Sequence, residues 1–261
     1  MTTTAVAERA IPVAATGDRF YVTMATACLV VAVVGFAPTY WVPMLRGTLD
    51  IHPLAHLHAA AFYGWLLLLI KQSSLASAGR LARHRSLGML GVALATAMLF
   101  VGIGMAIDSI RELDAAGFGE QGRRFAIVPL TAAPFFAGMF ALAVAKARNR
   151  ELHNRLILVA TISLLQAAVG RVFLLLLAPP LPAGFTGPPV PPPVAVTIMP
   201  ALVADLLIVV AMMHDRRTRG RIHPAYLIGG AAVVFLQVIR VPLSATTAWA
   251  HVVNWVMAVA P

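Results

Sequence analysis

Eight histidines are the residues in this chain best suited to chemistry, and their placement is uneven. His84, His153, His214 and His223 stand beside basic clusters, His52, His56 and His58 crowd into seven residues, and His251 lies near the C-terminus. A neutral imidazole offers one lone pair to a metal, and two imidazoles from neighbouring helices are how a helical membrane core holds a b-type haem. Two of the eight share a setting. Ala82-Arg83-His84-Arg85-Ser86-Leu87 and Glu151-Leu152-His153-Asn154-Arg155-Leu156 each place an imidazole near arginine just ahead of a long apolar run, as in a weak tandem repeat. His84 and His153 are therefore the expected ligands of one haem b.

His56 and His58 are the candidate cofactor residues at the opposite end. On a helix they point about 200° apart, so they do not face one partner together. The run 125–145, which would complete a second haem site, contains no histidine, so two haems are disfavoured. Two other readings compete with ligation. The outer histidines could bind a transition metal, and an imidazole beside arginine could simply sit among phosphate headgroups.

Other polar residues fall where a membrane tolerates them poorly. Asp205 lies near the middle of an apolar run, five residues after Pro200, where a carboxylate costs several kcal/mol unless protonated, paired or wet. Its functional reading is a proton or substrate site; its plain reading is a neutral acid joining two helices. Arg171 lies 18 residues beyond His153, about 27 Å along a helix, and is expected to snorkel or to pair with Asp108. Ser163, Gln166 and Gly170 share one side of their run, and Gln237 and Arg240 have a similar outward depth. Trp65 and Gln72 follow His58 at seven-residue intervals and form one stripe.

The elements that must carry these residues are seven apolar stretches: Phe20–Ala37, Pro53–Ile70, Ser86–Ile107, Phe125–Ala145, Leu156–Leu177, Val194–Met213 and Ala225–Val241. Each has about the 20 residues needed to cross a hydrocarbon core of about 30 Å as a helix. Apolar residues make up 60% of the chain and charged ones 11%, which excludes an ordinary soluble domain. The fold expected is all-α, a polytopic bundle of seven transmembrane helices in contact with the lipid bilayer.

Three alternate gaps hold four cations each: Lys71, Arg80, Arg83 and Arg85; Lys146, Arg148, Arg150 and Arg155; Arg216, Arg217, Arg219 and Arg221. Arg9 and Arg19 add to that side, whereas the other side has only Arg46, Arg111, Arg123 and Arg124. The positive-inside rule puts the N-terminus in the cytoplasm. The net charge of +10 is thus a topology signal, spread over short loops, and not a nucleic-acid-binding face.

Residues 1–19 read as a disordered cytoplasmic tail, residues 20–243 as the membrane domain, and residues 244–261 as an outer interfacial helix or a short eighth span. Tyr40 and Trp41 sit where aromatic rings favour the headgroup layer. Eight prolines between Pro179 and Pro193 predict a stiff outer loop of polyproline-II type. Pro129 and Pro134 predict a kink in the fourth span. The single cysteine, Cys28, excludes a disulfide within the chain and reads as a buried thiol. No lysine stands deep in any span, so a retinal Schiff base is not supported. A phosphate loop, an HExxH motif and a Ser-His-Asp order are likewise missing.

The string from Pro53 to Gly91, with His56-Leu57-His58-Ala59, Trp65, Gln72, Gly79-Arg80 and His84-Arg85-Ser86-Leu87-Gly88, resembles a group of uncharacterised bacterial multi-pass membrane proteins. The likeness continues through Leu152-His153-Asn154-Arg155-Leu156, Arg171 and Arg221-Ile222-His223-Pro224, and implies architecture only. A fainter similarity links His84 to Gly88 with transmembrane di-haem cytochromes b, where a histidine precedes a Leu-Gly pair on a core helix. The run 125–145 departs from that pattern.

The expectation is a multi-pass protein of the bacterial inner membrane; 18 arginines against 2 lysines suit a GC-rich genome. The leading functional expectation is haem-b-dependent electron transfer with a quinone or another redox partner, using His84 and His153. The alternative is a non-enzymatic transporter or membrane-assembly factor centred on Asp205 and Arg171. Oligomeric state is not readable.

Overall fold

The computed structural model describes residues 16–177 and 190–260, and every regular element among them is helical. Most of the proline-rich outer loop and most of the N-terminal tail, with Arg9, lie outside the described residues. Helix α1 (Thr16–Phe36) ends in a π-turn at Ala37–Trp41 that contains Pro38, followed by the short α2 (Val42–Leu45). Helix α3 (Pro53–Ser77) and α4 (Leu81–Ala115) form a tight antiparallel hairpin through Gly79, whose φ of +69° suits glycine. Then come α5 (Gly119–Phe125), α6 (Ile127–Ala145), α7 (Arg150–Ser163), α8 (Gln166–Leu177), α9 (Ile198–Arg219), α10 (Pro224–Leu243) and α11 (Thr247–Val259).

Seven of these helical segments are long and apolar enough to cross a membrane: 19–45, 53–77, 81–115, 119–145, 150–177, 194–219 and 224–243. The chain is a multi-pass membrane protein of all-α type. The helices outrun the apolar stretches at the basic end, where polar residues such as Arg80 to Arg85 continue the helix into the aqueous layer. Exposed side chains are correspondingly apolar: Met89, Phe100, Leu206, Ile228 and Phe235 all point outward, as lipid-facing residues must.

Two spans are broken. The fifth divides into α7 and α8 at Leu164–Leu165, where the backbone tightens to three-residue hydrogen bonds (Leu164 N–H to Thr161 O, 3.2 Å; Leu165 N–H to Ile162 O, 2.9 Å). The fourth divides into α5 and α6 at Ala126, and Pro134 lies inside α6. Span five is the central one, since residues 155–163 on it are buried with one half-buried exception, Ile157. Around it, α1 packs on α3, α7 and α8; α4 packs on α3 and α6; α6 packs on α7; and α9 and α10 close the other side.

Close packing depends on small residues. A Cβ on Gly35 would lie 2.4 Å from the Ala168 carbonyl oxygen, so α1 and α8 touch backbone to backbone there. Helix α11 has 13 residues, about 20 Å, shorter than a hydrocarbon core. It rests on α5 through Val253, packed with Ile110 and Ala126, and through Trp249 Nε1–H donating to Arg123 O at 2.9 Å.

Candidate functional site

Five helices, α3, α4, α6, α7 and, through Tyr21, α1, line a half-open cleft at the basic end, with a cavity volume of about 120 Å³. Leu68, Gln72, Gly88, Gly91, Phe140 and Ile157 are among its walls, and Trp65 closes its floor. Trp65 is held by a buried hydrogen bond to Thr161 Oγ1 (3.1 Å) and by edge contacts with Phe136 and Phe140.

His84 and His153 both line this cleft. Each occupies the fourth residue of its helix, just after a hairpin turn, and the backbone N–H of each bonds the residue preceding the helix (Arg80 O, 3.0 Å; Asn149 O, 2.9 Å). From that position each side chain reaches back to the preceding helix. His84 Nδ1 lies 3.3 Å from Gln72 O, and His153 Nδ1 lies 2.9 Å from Ala143 O. The carbonyl of Ala143 falls in the last turn of α6, where carbonyls lack intrahelical partners. Carbonyls only accept, so Nδ1 is the donor in both imidazoles and Nε2 is the ring nitrogen turned to other partners. A second link fixes His84: Gln72 Nε2 donates to its backbone oxygen at 3.1 Å.

The two rings are 6.3 Å apart between centres, with their planes at 84°. Helices α4 and α7 that carry them are separated by α3 and α6, so the imidazoles approach across the cleft. The repeat seen in sequence is thus a spatial pairing of histidines. It does not extend to the arginines: Arg85 is exposed, whereas Arg155 is fully buried.

The remaining histidines have separate duties. His52 and His223 cap α3 and α10, their Nδ1 atoms accepting from Leu54 N (3.3 Å) and Ala225 N (3.1 Å). His214 stacks on Phe20 at 3.7 Å. His56 Nδ1 meets the Tyr40 hydroxyl at 3.0 Å, and His58 stacks on Phe62 at 4.2 Å with its Nδ1 buried and unbonded. No group of three or more His, Cys, Asp or Glu side chains able to hold a metal occurs among the described residues.

Arg171 does not pair with Asp108. Asp108 faces His52 at 3.6 Å, while Arg171 lies over the Phe36 ring at 4.3 Å and donates to Ala167 O at 3.1 Å. Arg171 is drawn to the aromatic end of α1 and Asp108 to the start of α3. Nor do Asp205 and Arg171 meet: Asp205 lies against Gln237 and near Arg240 on α10. Arg240 is buried and donates to Thr131 Oγ1 (2.7 Å) and Gln166 Oε1 (3.0 Å).

Sequence reasoning missed a buried ion pair. Arg155 Nε and Nη2 clasp the Asp215 carboxylate at 2.9 and 2.7 Å, joining α7 to α9, and both side chains are almost wholly buried. Asp215 also accepts from His223 N–H at 3.3 Å, and Arg219 binds Glu151 beside it. One signal was available. An acid in the last turn of a helix opposes the helix dipole, so Asp215 beside Arg216 and Arg217 calls for a specific cation.

The chain matches no protein-family model, no curated protein and no solved structure.

Proposed function

We propose that the protein is a haem-b-binding electron carrier of the bacterial inner membrane, in which His84 and His153 would hold the group. The observation that carries this reading is the disposition of the two rings. Two imidazoles that were to share one metal would each need to reach it at about 2.0–2.1 Å, and their ring centres, 6.3 Å apart across the cleft, are near enough for that. Each ring is fixed through Nδ1 by a backbone carbonyl, the arrangement that commonly orients ligating histidines.

Space is the second condition. The cavity of about 120 Å³ is smaller than a porphyrin, so the group would extend outside the cleft through its open mouth. Gly88 and Gly91 make that wall from backbone, and a Cβ there would lie in ordinary contact with Gln72 and Leu68. At the same basic end of the bundle, Lys71, Arg80, Arg83, Lys146 and Arg148 are exposed cations suited to carboxylate substituents.

When bound, haem supplies reversible one-electron chemistry. The chain's own contribution is to hold two imidazoles in place, to exclude water with Trp65 and Phe140, and to offset propionate charge. A quinone or a protein redox partner would exchange electrons at the mouth of the cleft.

Oxidised and dithionite-reduced absorption spectra of protein purified from haem-replete cells test this. The expected result is a Soret band with a sharp reduced α-band, near one haem per chain, lost in His84→Ala and in His153→Ala. A colourless, folded wild-type protein would overturn the reading.

A further inference from the structure

The buried groups at the other end of the bundle do not belong to the cleft, and they pose a problem of their own. Asp205 is 93% buried, yet neither carboxylate oxygen has a hydrogen-bond partner; Gln237, 96% buried, has no partner for Oε1. The two side chains lie within reach of one another, but no hydrogen bond of accepted geometry joins them. An ionised carboxylate left without any donor in a membrane interior carries a heavy desolvation cost. The natural counter-ion is close and engaged elsewhere: Arg240 gives its guanidinium to the neutral Thr131 and Gln166 and forms no ion pair with Asp205. Among the described residues Arg240 is the only charged group whose field reaches Asp205, and no other acid or base from α7, α8 or α10 faces it.

We infer that Asp205 is a proton-binding site, holding its proton in the folded protein and donating it to Gln237 Oε1. One proton then satisfies two orphan acceptors at once: it converts one carboxylate oxygen into an O–H donor and gives the amide oxygen its partner. The proton comes from water and returns to it; no other group changes charge. On release, the carboxylate faces Arg240. Thr131 on α6 and Gln166 on α8 take two of the five guanidinium N–H donors, so an ion pair with Asp205 would draw on those that remain and tie α9 to the same arginine. Nothing in this inference depends on haem.

Infrared spectroscopy of the purified wild-type protein in lipid nanodiscs, in H₂O and in D₂O, tests it. At neutral pH a carboxylic C=O stretch is expected above the amide I band, shifted by deuteration and missing in Asp205→Asn. In Gln237→Leu the same band should move to higher frequency, because the acid has lost its acceptor; this second variant decides the matter if Asp205→Asn fails to fold. Identical wild-type and Asp205→Asn spectra in that region from pH 5 to 9 would overturn the inference. So would a carboxylate band assigned to Asp205 at neutral pH, with the Gln237 amide as donor.

Discussion

Replacing Asp215 by alanine should be among the most damaging single changes in the basic half of the bundle. The Arg155 side chain it leaves behind is 0% exposed, and Asp215 itself only 3%. Two charges about 4 Å apart attract by about 4 kcal/mol at an effective dielectric of 20. Removing one partner of a buried pair costs about 3–5 kcal/mol, because the survivor stays buried and uncompensated. Asp215 also accepts the His223 N–H, so the turn into α10 loses its anchor as well. At about 2–4 °C per kcal/mol for a chain of this size, the melting temperature should fall by about 10 °C. Arg155→Met in the same background should restore much of the loss, since a neutral pair demands no solvation. Thermal denaturation of the four proteins of this cycle in one detergent gives the coupling directly. A single variant within about 2 °C of wild type would refute the reasoning, by showing that water or Glu151 already neutralises Arg155.

Gly35→Ala should destabilise by about 1–3 kcal/mol although alanine favours helix, because the added methyl would lie 2.4 Å from a backbone oxygen of α8 that cannot rotate away; detergent melts followed by circular dichroism check it. His223 predicts a pH dependence. Burial and the nearby Arg155 hold its imidazole below the ordinary histidine range, and its neutral Nδ1 caps α10. The unfolded chain therefore takes up the proton first as pH falls. Stability should decline from about pH 7 toward pH 5, by about 1 kcal/mol for loss of a cap, and His223→Asn, which caps without titrating, should flatten that slope.

The seven spans were legible because a bilayer imposes length and apolarity on each segment separately; Phe125–Ala145 and Val194–Met213 needed no knowledge of their neighbours. The histidine pair was legible for a different reason. His84 and His153 stand at the same position after two similar turns, and equal depth on two helices survives in sequence as a short repeat. What fixes their rings was not legible, since the partners are the carbonyls of Gln72 and Ala143, which every residue type possesses. Arg155 was read as one more loop cation because the positive-inside pattern accounts for basic residues statistically and hides one that is paired. The division of span five at Leu164–Leu165 also left no mark, as neither glycine nor proline stands there. Arg171 and Asp108 were matched on depth alone, and depth does not tell which side of a helix a neighbour occupies.

The carbonyl contacts of His84 and His153 raise the strongest competing account: each imidazole merely staples its hairpin. The staple uses Nδ1 and nothing else. It does not require the two rings to share a cleft or to stand 6.3 Å apart. Asparagine separates the accounts, because its amide keeps an N–H donor at about the distance of Nδ1 while offering no ligand beyond it. If stapling is the whole role, His153→Asn should fold and melt like wild type, and the spectrum of the purified protein should be the same before and after the change. If the pair ligates, His153→Asn should keep the fold within about 1 kcal/mol in haem-free protein, the size of one neutral hydrogen bond, and lose the Soret band. The apo melt and the spectrum thus report on different nitrogens of one ring. A variant that stays coloured with an unchanged reduced α-band would remove His153 from the metal, whatever its effect on stability.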